Sequence, residues 1–452
     1  MNIIVVGCGK VGTTLAKQLI QEEHNVSVID TNRNVVNLFS NSFDALGVVG
    51  NGASYSVQIE AGIETAHLLI AVTGSDELNL LCCLIARKAG NCKTIARVRN
   101  PIYNKEVGFI KEELGLSMVI NPEYEAASEI SRLLRFPSAI EINTFYKGRL
   151  ELLSFMVEEG SILRDMQVKE IRSKLKVDIL ICTVERGEEV IIPDGELRLL
   201  EHDRVSIIAS HKNAIEFFVK ISLVHKSVKS AMLIGGGAIS YYLATQLLKN
   251  GISVKIIEEN KKRCEHLTEL LPKAMIIHGD GTDKELLMEE DLTEMQSFAS
   301  LTGIDEENVL LSLYAHSKIN GKIITKVNRI DFDEVLDTLD LGSIIYPKYI
   351  TSQYILQYVR AMSNSIGSNV ETLYKIKKDR AEALEFHVTE DSGLIGIPLE
   401  KLDLKKNLII CSIMRNGSVI TPKGQDSIMA GDHVIIVTTN VGLQDLSDIL
   451  RG

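Results

Sequence analysis

Three glycines near the N-terminus, Gly7, Gly9 and Gly12, stand in the spacing GxGxxG directly after the apolar run at 3–6. Between a strand and a helix, the first glycine of this motif permits a tight turn, the second lets the backbone approach a diphosphate, and the third lets the helix pack closely on the strand. Unpaired amides at the helix start attract an anion. The pattern predicts that this loop binds nucleotide phosphates. Lys10, inside the loop, either adds a point charge there or is an ordinary solvated lysine.

An acidic residue stands where a ribose would lie. Asp30 ends the next apolar run, at 26–29. At this position a carboxylate accepts hydrogen bonds from a ribose hydroxyl, and its charge repels a 2′-phosphate. The residue therefore favours NAD or an adenine nucleotide over NADP.

Further polar residues follow two later apolar runs. Thr73, Gly74, Asp76 and Asn79 come after the run at 68–72, with Thr73 and Gly74 expected nearer the ligand, and Arg97 stands in the run at 94–98. Parallel strands place their carboxyl ends at one sheet edge, so these residues are expected near the same ligand, with the Arg97 guanidinium in reach of phosphate. The alternatives are ordinary ones: Ser75 or Asp76 caps the following helix, and Arg97 forms a surface ion pair.

The chain repeats itself over a long period. Gly7 aligns with Gly235 and Asp30 with Glu258 (235 − 7 = 258 − 30 = 228), and later segments align at an offset of 229, such as "AVTGSDELNLL" with "SLTGIDEENVL". The second glycine loop, "GGGAIS", keeps Gly235 and Gly237 but has Ser240 in place of the third glycine. Serine is small enough for close packing, so the second loop either binds a nucleotide or has lost that ability.

Each repeat has two parts. The first alternates short β-branched runs with helical stretches, which is typical of a parallel sheet covered on both faces. The second, at 176–210 and 406–439, alternates apolar and polar residues around turn signals and predicts an antiparallel module. The fold class is therefore α/β, with two Rossmann-like doubly wound parallel-sheet domains, each followed by a small α+β domain. The predicted domain ranges are 1–136, 137–224, 228–365 and 368–452.

Composition excludes several classes of function. The formal net charge is −11 and no Lys/Arg-rich block is present, which argues against a nucleic-acid partner. No apolar run approaches the roughly 18 residues that a membrane-spanning helix needs, and a signal peptide is not recognisable. The seven cysteines lack CxxC spacing, so neither a metal centre nor a disulfide framework is expected. A cytoplasmic protein is indicated.

A nucleotide loop alone does not distinguish an enzyme from a sensor. An oxidoreductase needs a positioned acid or base beside the cofactor. None of the ten histidines is placed with a convincing Ser, Cys or Asp partner, and each Rossmann-like unit is followed by a small β-rich module instead of a substrate domain of ordinary size. No catalytic residue is assigned, although an NAD-dependent oxidoreductase of unusual tandem layout stays the alternative.

The segments "GCGKVG", "VIDTN", "AVTGSDELNLL", "IARVRNP" and "VINPEYEAASEISRLLRFPSAI" together resemble the TrkA family. Members of this family are the peripheral nucleotide-binding subunits of Trk potassium uptake systems and are built from tandem RCK (KTN) domains. The likeness extends over both halves. It implies a cytosolic, non-enzymatic regulatory ring that responds to NAD(H) or ATP/ADP and gates potassium transport.

The resemblance also implies site residues. It adds Cys8 and Val11 to the first phosphate loop. In the second half it implies contacts at Gly235, Gly236, Gly237, Ala238, Ile239, Glu258, Thr302, Gly303 and Lys326. Glu123 resembles an acid that relatives use near the nucleotide or for a cation at a dimer contact, and it is otherwise an ordinary helix-start acid. Lys348 occupies the corresponding position of the second half, so any cation role would be confined to the first.

Partners follow from the same resemblance. It implies an integral-membrane potassium transporter of the TrkH or TrkG kind, to which this chain binds on the cytoplasmic face. It also implies self-association, with a homotetramer as the expected assembly. A ring of several sites multiplies the small free energy that each ligand contributes to gating.

Overall fold

The structure is a computed structural model. It describes residues 1–43, 45–101, 103, 106–136, 139–222, 228–329, 333–336, 338–364, 370–376, 380–390, 392–443 and 445–451. All elements given below lie within these ranges.

The first module is a six-stranded parallel sheet. Its strands are β1 (Asn2–Val6), β2 (Asn25–Asp30), β3 (Leu46–Val49), β4 (Leu68–Ala71), β5 (Lys93–Arg97) and β6 (Met118–Ile120). Its helices are α1 (Lys10–Gln21), α2 (Arg33–Ser42), α3 (Tyr55–Glu60), α4 (Asp76–Gly90), α5 (Val107–Glu113) and α6 (Pro122–Arg135). The strand order is β3-β2-β1-β4-β5-β6, so the first strands of the chain are added on one side of β1 and the later ones on its other side. Open α/β sheets bind ligands at the switch point between the two sides, here between β1 and β4.

The first antiparallel module follows in the chain. Its strands are β7 (Glu141–Phe145), β8 (Leu150–Met156), β9 (Leu180–Arg186), β10 (Glu189–Ile191) and β11 (Arg204–Ser210), with helices α7 (Val168–Leu175) and α8 (His211–Lys220). The sheet order is β10-β9-β11-β8-β7. Helix α8 begins after Ser210, whose hydroxyl accepts a hydrogen bond from the Asn213 amide at 3.3 Å, as expected for a serine N-cap.

The second parallel module repeats the first. Its strands are β12 (Ser230–Ile234), β13 (Ser253–Glu258), β14 (Met275–His278), β15 (Ser297–Ser300), β16 (Lys322–Lys326) and β17 (Ser343–Ile345). Its helices are α9 (Ala238–Lys249), α10 (Lys261–Leu270), α11 (Lys284–Glu289), α12 (Asp305–His316), α13 (Asp333–Leu336) and α14 (Pro347–Asn364). The order β14-β13-β12-β15-β16-β17 matches the first sheet strand for strand.

The second antiparallel module has β18 (Val370–Ile376), β19 (Ala381–His387), β20 (Leu408–Arg415), β21 (Ser418–Ile420) and β22 (His433–Thr438). Its order, β18-β19-β22-β20-β21, is that of the first antiparallel sheet read from the other edge. Among the described residues, short 3-10 turns at Leu399–Lys401 and Leu446–Ile449 stand in the places that α7 and α8 occupy in the first copy.

Register confirms the duplication. Val6 of β1 lies opposite Ile29 and Ala71, and Ile234 of β12 lies opposite Ile257 and Ser300. These partners differ by the same offsets that align the two halves of the sequence. The predicted fold class, two doubly wound parallel sheets and two small modules with antiparallel sheets, is confirmed.

The modules group into two compact units. One contains Met1–Ser131 and Ser230–Leu356, hence both parallel sheets, and the other contains Arg132–Lys229 and Gln357–Gly452, hence both antiparallel sheets. The sequence predicted modules in series and did not predict this pairing of like with like. The four domain ranges stay a prediction, because their boundaries at 137, 224, 365 and 368 fall on residues outside those described.

Hydrophobic cores form around each sheet. In the first parallel module, Cys82 and Cys83 of α4 are fully buried with Ile4, Leu69 and Ala96 of the sheet. All seven cysteines are buried and free. Within the described part of the chain, no helix has the length and apolar character required to cross a membrane.

Candidate functional site

The first glycine loop depends on two glycines for its shape. Gly7 has a φ of +100°, and its amide donates to the Ile29 carbonyl at 2.8 Å. A Cβ at Gly12 would lie 1.8 Å from the Gly7 carbonyl oxygen. Helix α1 can therefore approach the loop this closely only because residue 12 has no side chain.

The start of α1 is open to a ligand. Gly9 is the N-cap residue and provides no side-chain cap, and a Cβ there would meet no atom within 4 Å. Gly9 and Lys10 are both exposed. The first amides of a helix lack partners within the helix, so they are available to an anion.

Asp30 forms a hydrogen bond with the backbone of the glycine loop. Its two carboxylate oxygens accept one backbone hydrogen bond each, from the Cys8 amide at 2.7 Å and from the Asn32 amide at 2.8 Å. An ionised carboxylate accepts about four hydrogen bonds, so capacity is left for a hydroxyl donor. The carboxylate that the sequence predicts at a ribose position is therefore hydrogen-bonded to the glycine loop.

Asn79, which the sequence placed at the same sheet edge as Thr73 and Gly74, holds the opposite wall together. This fully buried side chain accepts from the Thr73 amide at 2.8 Å and the Thr73 hydroxyl at 2.7 Å, and it donates to the Arg97 carbonyl at 2.9 Å. It therefore fixes the ends of β4 and β5 together. Ser75 caps α4, accepting from the Leu78 amide at 3.2 Å, as one of the sequence alternatives held.

Arg97 is more buried than a surface ion-pair residue would be. One Nη donates to the Thr73 carbonyl, while Nε is shielded from solvent without a hydrogen-bond partner. Burial, together with the nearby Arg99, lowers the pKa of Arg97 below its usual value. Arg99 pairs with Glu123, Nε to Oε1 at 2.6 Å.

These residues surround a cleft of about 670 Å³. Its lining residues are Val6, Gly7, Gly9, Lys10, Val11, Ile29, Asp30, Thr31, Gly50, Asn51, Gly52, Val72, Thr73, Gly74, Ser75, Leu78, Arg97, Arg99, Pro122, Glu123, Asn328, Pro347 and Lys348. Of the residues that the sequence placed at the first site, Cys8, Gly12, Asp76 and Asn79 do not line the cleft, and all the others do. Cys8 and Gly12 are buried behind the loop. Four of the lining side chains are basic and two are acidic, so the cleft suits an anion.

Three of the lining residues come from the second parallel module: Asn328, Pro347 and Lys348. Sequence alignment placed Lys348 opposite Glu123 as its counterpart in a separate site, yet both line this one cleft. Pairing of the two modules inside one unit brings them together. Contacts nearby include a hydrogen bond from Asn121 Nδ2 to the Tyr242 hydroxyl at 3.0 Å.

The second glycine loop has the same backbone plan. Gly235 has a φ of +93°, and Glu258 accepts from the Gly236 amide at 2.6 Å and from the Asn260 amide at 2.8 Å. Asn308, fully buried, accepts from the Thr302 amide at 2.9 Å and donates to the Lys326 carbonyl at 3.0 Å. The duplication therefore extends to the hydrogen bonds of the site.

Its side chains differ where a ligand would approach. The Ser240 hydroxyl donates to the Gly235 carbonyl oxygen, so a hydrogen bond stands where Gly12 makes close backbone contact. Arg263 Nε donates to the Gly236 carbonyl at 2.6 Å. Lys326 Nζ donates to the Leu301 carbonyl at 3.2 Å, and burial lowers its pKa. Glycines 235–237 and Thr302 lie at one sheet edge, as predicted. However, Arg263 is hydrogen-bonded to the loop and Lys326 to the end of the neighbouring strand.

Comparison with known families identifies both kinds of module. The TrkA-N domain model matches residues 3–122 and 231–347, and the TrkA-C domain model matches residues 152–221 and 383–451. These matches cover most of the sequence. The chain belongs to the TrkA family. In this family's terms the two parallel sheets are TrkA-N domains, and the antiparallel sheets are TrkA-C domains.

Relatives of the same family align over the full length. The chain is 30% identical over 446 residues to the Trk system potassium uptake protein TrkA homolog 1 of Methanosarcina mazei, covering 96% of this chain and 97% of the relative. It is 30% identical over 451 residues to the TrkA homolog of Archaeoglobus fulgidus, covering all of both chains. Among solved structures, the GsuK channel shares the fold with a TM-score of 0.63 at 16% identity, covering 97% of this chain and 77% of that one. The GsuK channel bound to NAD gives a TM-score of 0.61.

Proposed function

We propose that this chain is a nucleotide-sensing regulatory subunit of a potassium uptake system. Family membership supports the potassium system, since the relatives of matching length carry that name. The observation that carries the sensing role is the basic cleft at the switch point of the first sheet. It combines an uncapped helix start, a carboxylate at the ribose position and a wall from a second module.

The ligand class follows from the chemistry of this cleft. Amides of Gly9 to Val11 and the Lys10 ammonium suit a diphosphate. The Asp30 carboxylate suits a free ribose 2′-hydroxyl and repels a 2′-phosphate, so NAD(H), ATP and ADP are favoured over NADPH. The NAD-bound GsuK channel, which shares the fold, makes NAD(H) a first choice for testing.

A sensing role requires a ligand that distinguishes two arrangements of the protein. A ligand held by the first loop also reaches Asn328 and Lys348 of the second module, so its affinity depends on how the two modules are arranged. A tenfold preference for one arrangement supplies about 1.4 kcal/mol per site. Several chains in a homotetramer multiply that bias.

The alternative, an oxidoreductase, finds less support. Among the described residues that line the cleft, none is His, Cys or Tyr. The carboxylates present, Asp30 and Glu123, are engaged with the loop amides and with Arg99. The second module closes the cleft with Asn328, Pro347 and Lys348, and not with a substrate domain. The expected setting is the cytoplasmic face of the membrane, bound to a TrkH- or TrkG-like transporter.

Binding is tested by calorimetry on the full-length chain with NAD, NADH, ATP, ADP and NADPH. NADPH is expected to bind more weakly than NADH. Asp30→Ala is expected to weaken binding at least tenfold, since a charged hydrogen bond contributes about 1.5–3 kcal/mol. Glu258→Ala is the matched control, because Glu258 holds its own loop through the same two backbone contacts. Equal losses in the two variants would contradict the assignment of the first loop as the main site.

Function is tested by potassium flux through a Trk-type transporter reconstituted with this chain, with and without the nucleotide that binds. Flux that changes with ligand, without ligand consumption, supports a sensor. Steady oxidation of NADH with a small substrate would instead establish the oxidoreductase. A chain that binds no nucleotide would exclude both.

A further inference from the structure

Three side chains of the second antiparallel module converge in a way that the nucleotide site does not explain. Glu371 of β18, Glu385 of β19 and His433 of β22 have ligand atoms that all lie within 4.8 Å of one another. His433 Nδ1 is 2.9 Å from a Glu371 oxygen and 3.3 Å from a Glu385 oxygen. Adjacent strands of the sheet carry all three residues, so the cluster is part of a rigid element.

The ring nitrogen Nδ1 of His433 is buried close to two carboxylates. His433 Nδ1 is shielded from solvent and, within the part of the chain that the structure describes, makes no hydrogen bond of acceptable geometry, although carboxylate oxygens lie 2.9 and 3.3 Å from it. A buried polar atom without such a bond costs free energy unless another partner satisfies it. The geometry points to a partner between the nitrogen and the oxygens.

Charge at the cluster points the same way. Only about 5% of the Glu385 side chain is exposed, and burying an ionised carboxylate is costly unless it is neutralised. Two carboxylates face one imidazole, which can offer them at most one positive charge.

The first antiparallel module has an arginine at the position of His433. Arg204 begins β11 where His433 begins β22 (204 + 229 = 433), and its guanidinium lies 2.7 Å from Glu141 of β7 and 3.5 Å from Glu185 of β9. Glu185 is paired across the sheet with Arg204 as Met414 is with His433, so it is not the counterpart of Glu385. A guanidinium neutralises carboxylates but does not give up a proton to coordinate an ion. A histidine at this position retains a nitrogen lone pair for coordination.

We propose that Glu371, Glu385 and His433 bind a first-row divalent transition metal ion such as zinc. Metal–ligand bonds of about 2.1 Å with tetrahedral angles place ligand atoms about 3.4 Å apart. His433 Nδ1 lies 2.9 and 3.3 Å from the two carboxylates, and the three ligand atoms lie within 4.8 Å of one another. One imidazole and two carboxylates suit zinc and its neighbours, whereas calcium and magnesium prefer oxygen ligands alone. Three protein ligands leave a fourth position for water.

Tyr146 of the first antiparallel module orients two of the ligands. Its amide donates to Glu385 Oε2 at 3.3 Å, and its hydroxyl donates to the His433 backbone carbonyl at 2.7 Å. Such outer contacts fix ligand orientation in metal sites. The site is therefore built by both antiparallel modules of one unit, and an ion there would stabilise their packing.

The test uses the full-length chain, stripped of metal with a chelator and titrated with zinc by calorimetry and equilibrium dialysis. The wild type is expected to bind one zinc ion per chain, and magnesium is not expected to displace it. His433→Arg keeps a cation between the carboxylates, as Arg204 does, and is expected to fold normally by circular dichroism while losing that ion. Glu371→Gln is expected to weaken zinc binding at least tenfold.

His211→Gln is the matched control. His211 Nδ1 lies 3.1 Å from Glu151, and among the described residues this pair is not part of a group of three metal-ligating side chains. Zinc stoichiometry in this variant should equal that of the wild type. A wild-type chain that binds no zinc, or a folded His433→Arg chain that binds zinc like the wild type, would overturn the proposal.

Discussion

At the scale of single residues, the two glycine loops differ most at the third position of the motif. Gly12 allows backbone contact with Gly7, whereas Ser240 places a hydroxyl against Gly235. The first loop is therefore intolerant of a side chain at a position where the second already has one.

This difference predicts the effect of a single methyl group. Gly12→Ala puts a Cβ 1.8 Å from the Gly7 carbonyl oxygen, so the loop or helix must shift. We expect a loss of about 1–3 kcal/mol in the free energy of unfolding, together with weaker nucleotide binding. Urea denaturation and calorimetry measure the two effects.

Ser240→Ala provides the comparison for that change. Position 240 already accommodates a Cβ, so this variant loses one hydrogen bond, at a cost of about 1 kcal/mol. Nucleotide affinity should not change. A Gly12→Ala chain as stable and as tightly binding as the wild type would show that the loop adapts freely.

At the scale of elements, buried asparagines connect strand ends to helices in both parallel modules. Beyond the ends of β4 and β5, the Asn79 side chain makes hydrogen bonds with backbone groups that no longer have a partner in the sheet. Asn308 does the same beyond the ends of β15 and β16. Such residues define the edge of the sheet where we propose that the nucleotide binds.

Asn79→Ala should therefore affect both folding and binding. Removal leaves the Thr73 amide and the Arg97 carbonyl buried without partners, at about 1–3 kcal/mol for each unsatisfied group. Thr73 and Arg97 then lose their positions in the cleft, and nucleotide affinity falls. Thermal unfolding with and without nucleotide measures both. Asn308→Ala should destabilise similarly yet leave affinity nearly unchanged, and a matching loss of affinity there would contradict the ranking of the two sites.

Each antiparallel module is held by a buried ion pair that recurs in the duplicate. Asp203 and Asp432, each about 1% exposed, accept two hydrogen bonds from Arg186 and Arg415, respectively. These bonds raise the pKa of both guanidinium groups.

Removing either aspartate charge should destabilise its module. We expect Asp203→Asn and Asp432→Asn each to cost about 2–3 kcal/mol, less than for a fully buried pair because the arginines are about one-third exposed. Chemical denaturation measures the loss. Asp178→Asn, at an exposed pair with Arg172, is the control and should have little effect. Similar losses in all three variants would contradict this account.

Local sequence patterns were sufficient to predict individual strands, but they could not predict which modules pack together. Runs at 3–6 and 68–72 became β1 and β4, because β-branched residues and flanking glycines act over a few positions. Lys348 reaches the first cleft only because two modules pack together, and no local pattern encodes that contact. The cluster at His433 was missed for the same reason: its three ligands lie on separate strands.

At the scale of the whole molecule, duplication has not produced two equivalent sites. The first cleft takes part of its wall from the second parallel module, whereas the second loop is tied by Arg263 and Lys326. In the proposed function the first copy provides the binding site and the second provides part of its wall. A ligand that contacts both copies would favour the arrangement in which both contacts are made.

This division of roles predicts which backbone amides a bound nucleotide protects from hydrogen exchange. Hydrogen exchange on the full-length chain with saturating NADH or ATP should slow at the first loop, residues 7–12, and also at residues 326–328 and 347–350 of the second module. Lys348→Ala should retain the first effect and lose most of the second, since the contact across the cleft is weakened while the phosphate loop is intact. Lys249→Ala, at the far end of α9, is the control and should retain both. Protection confined to residues 7–12 in the wild type would mean that the ligand does not join the two modules, and gating would then need another route to the transporter.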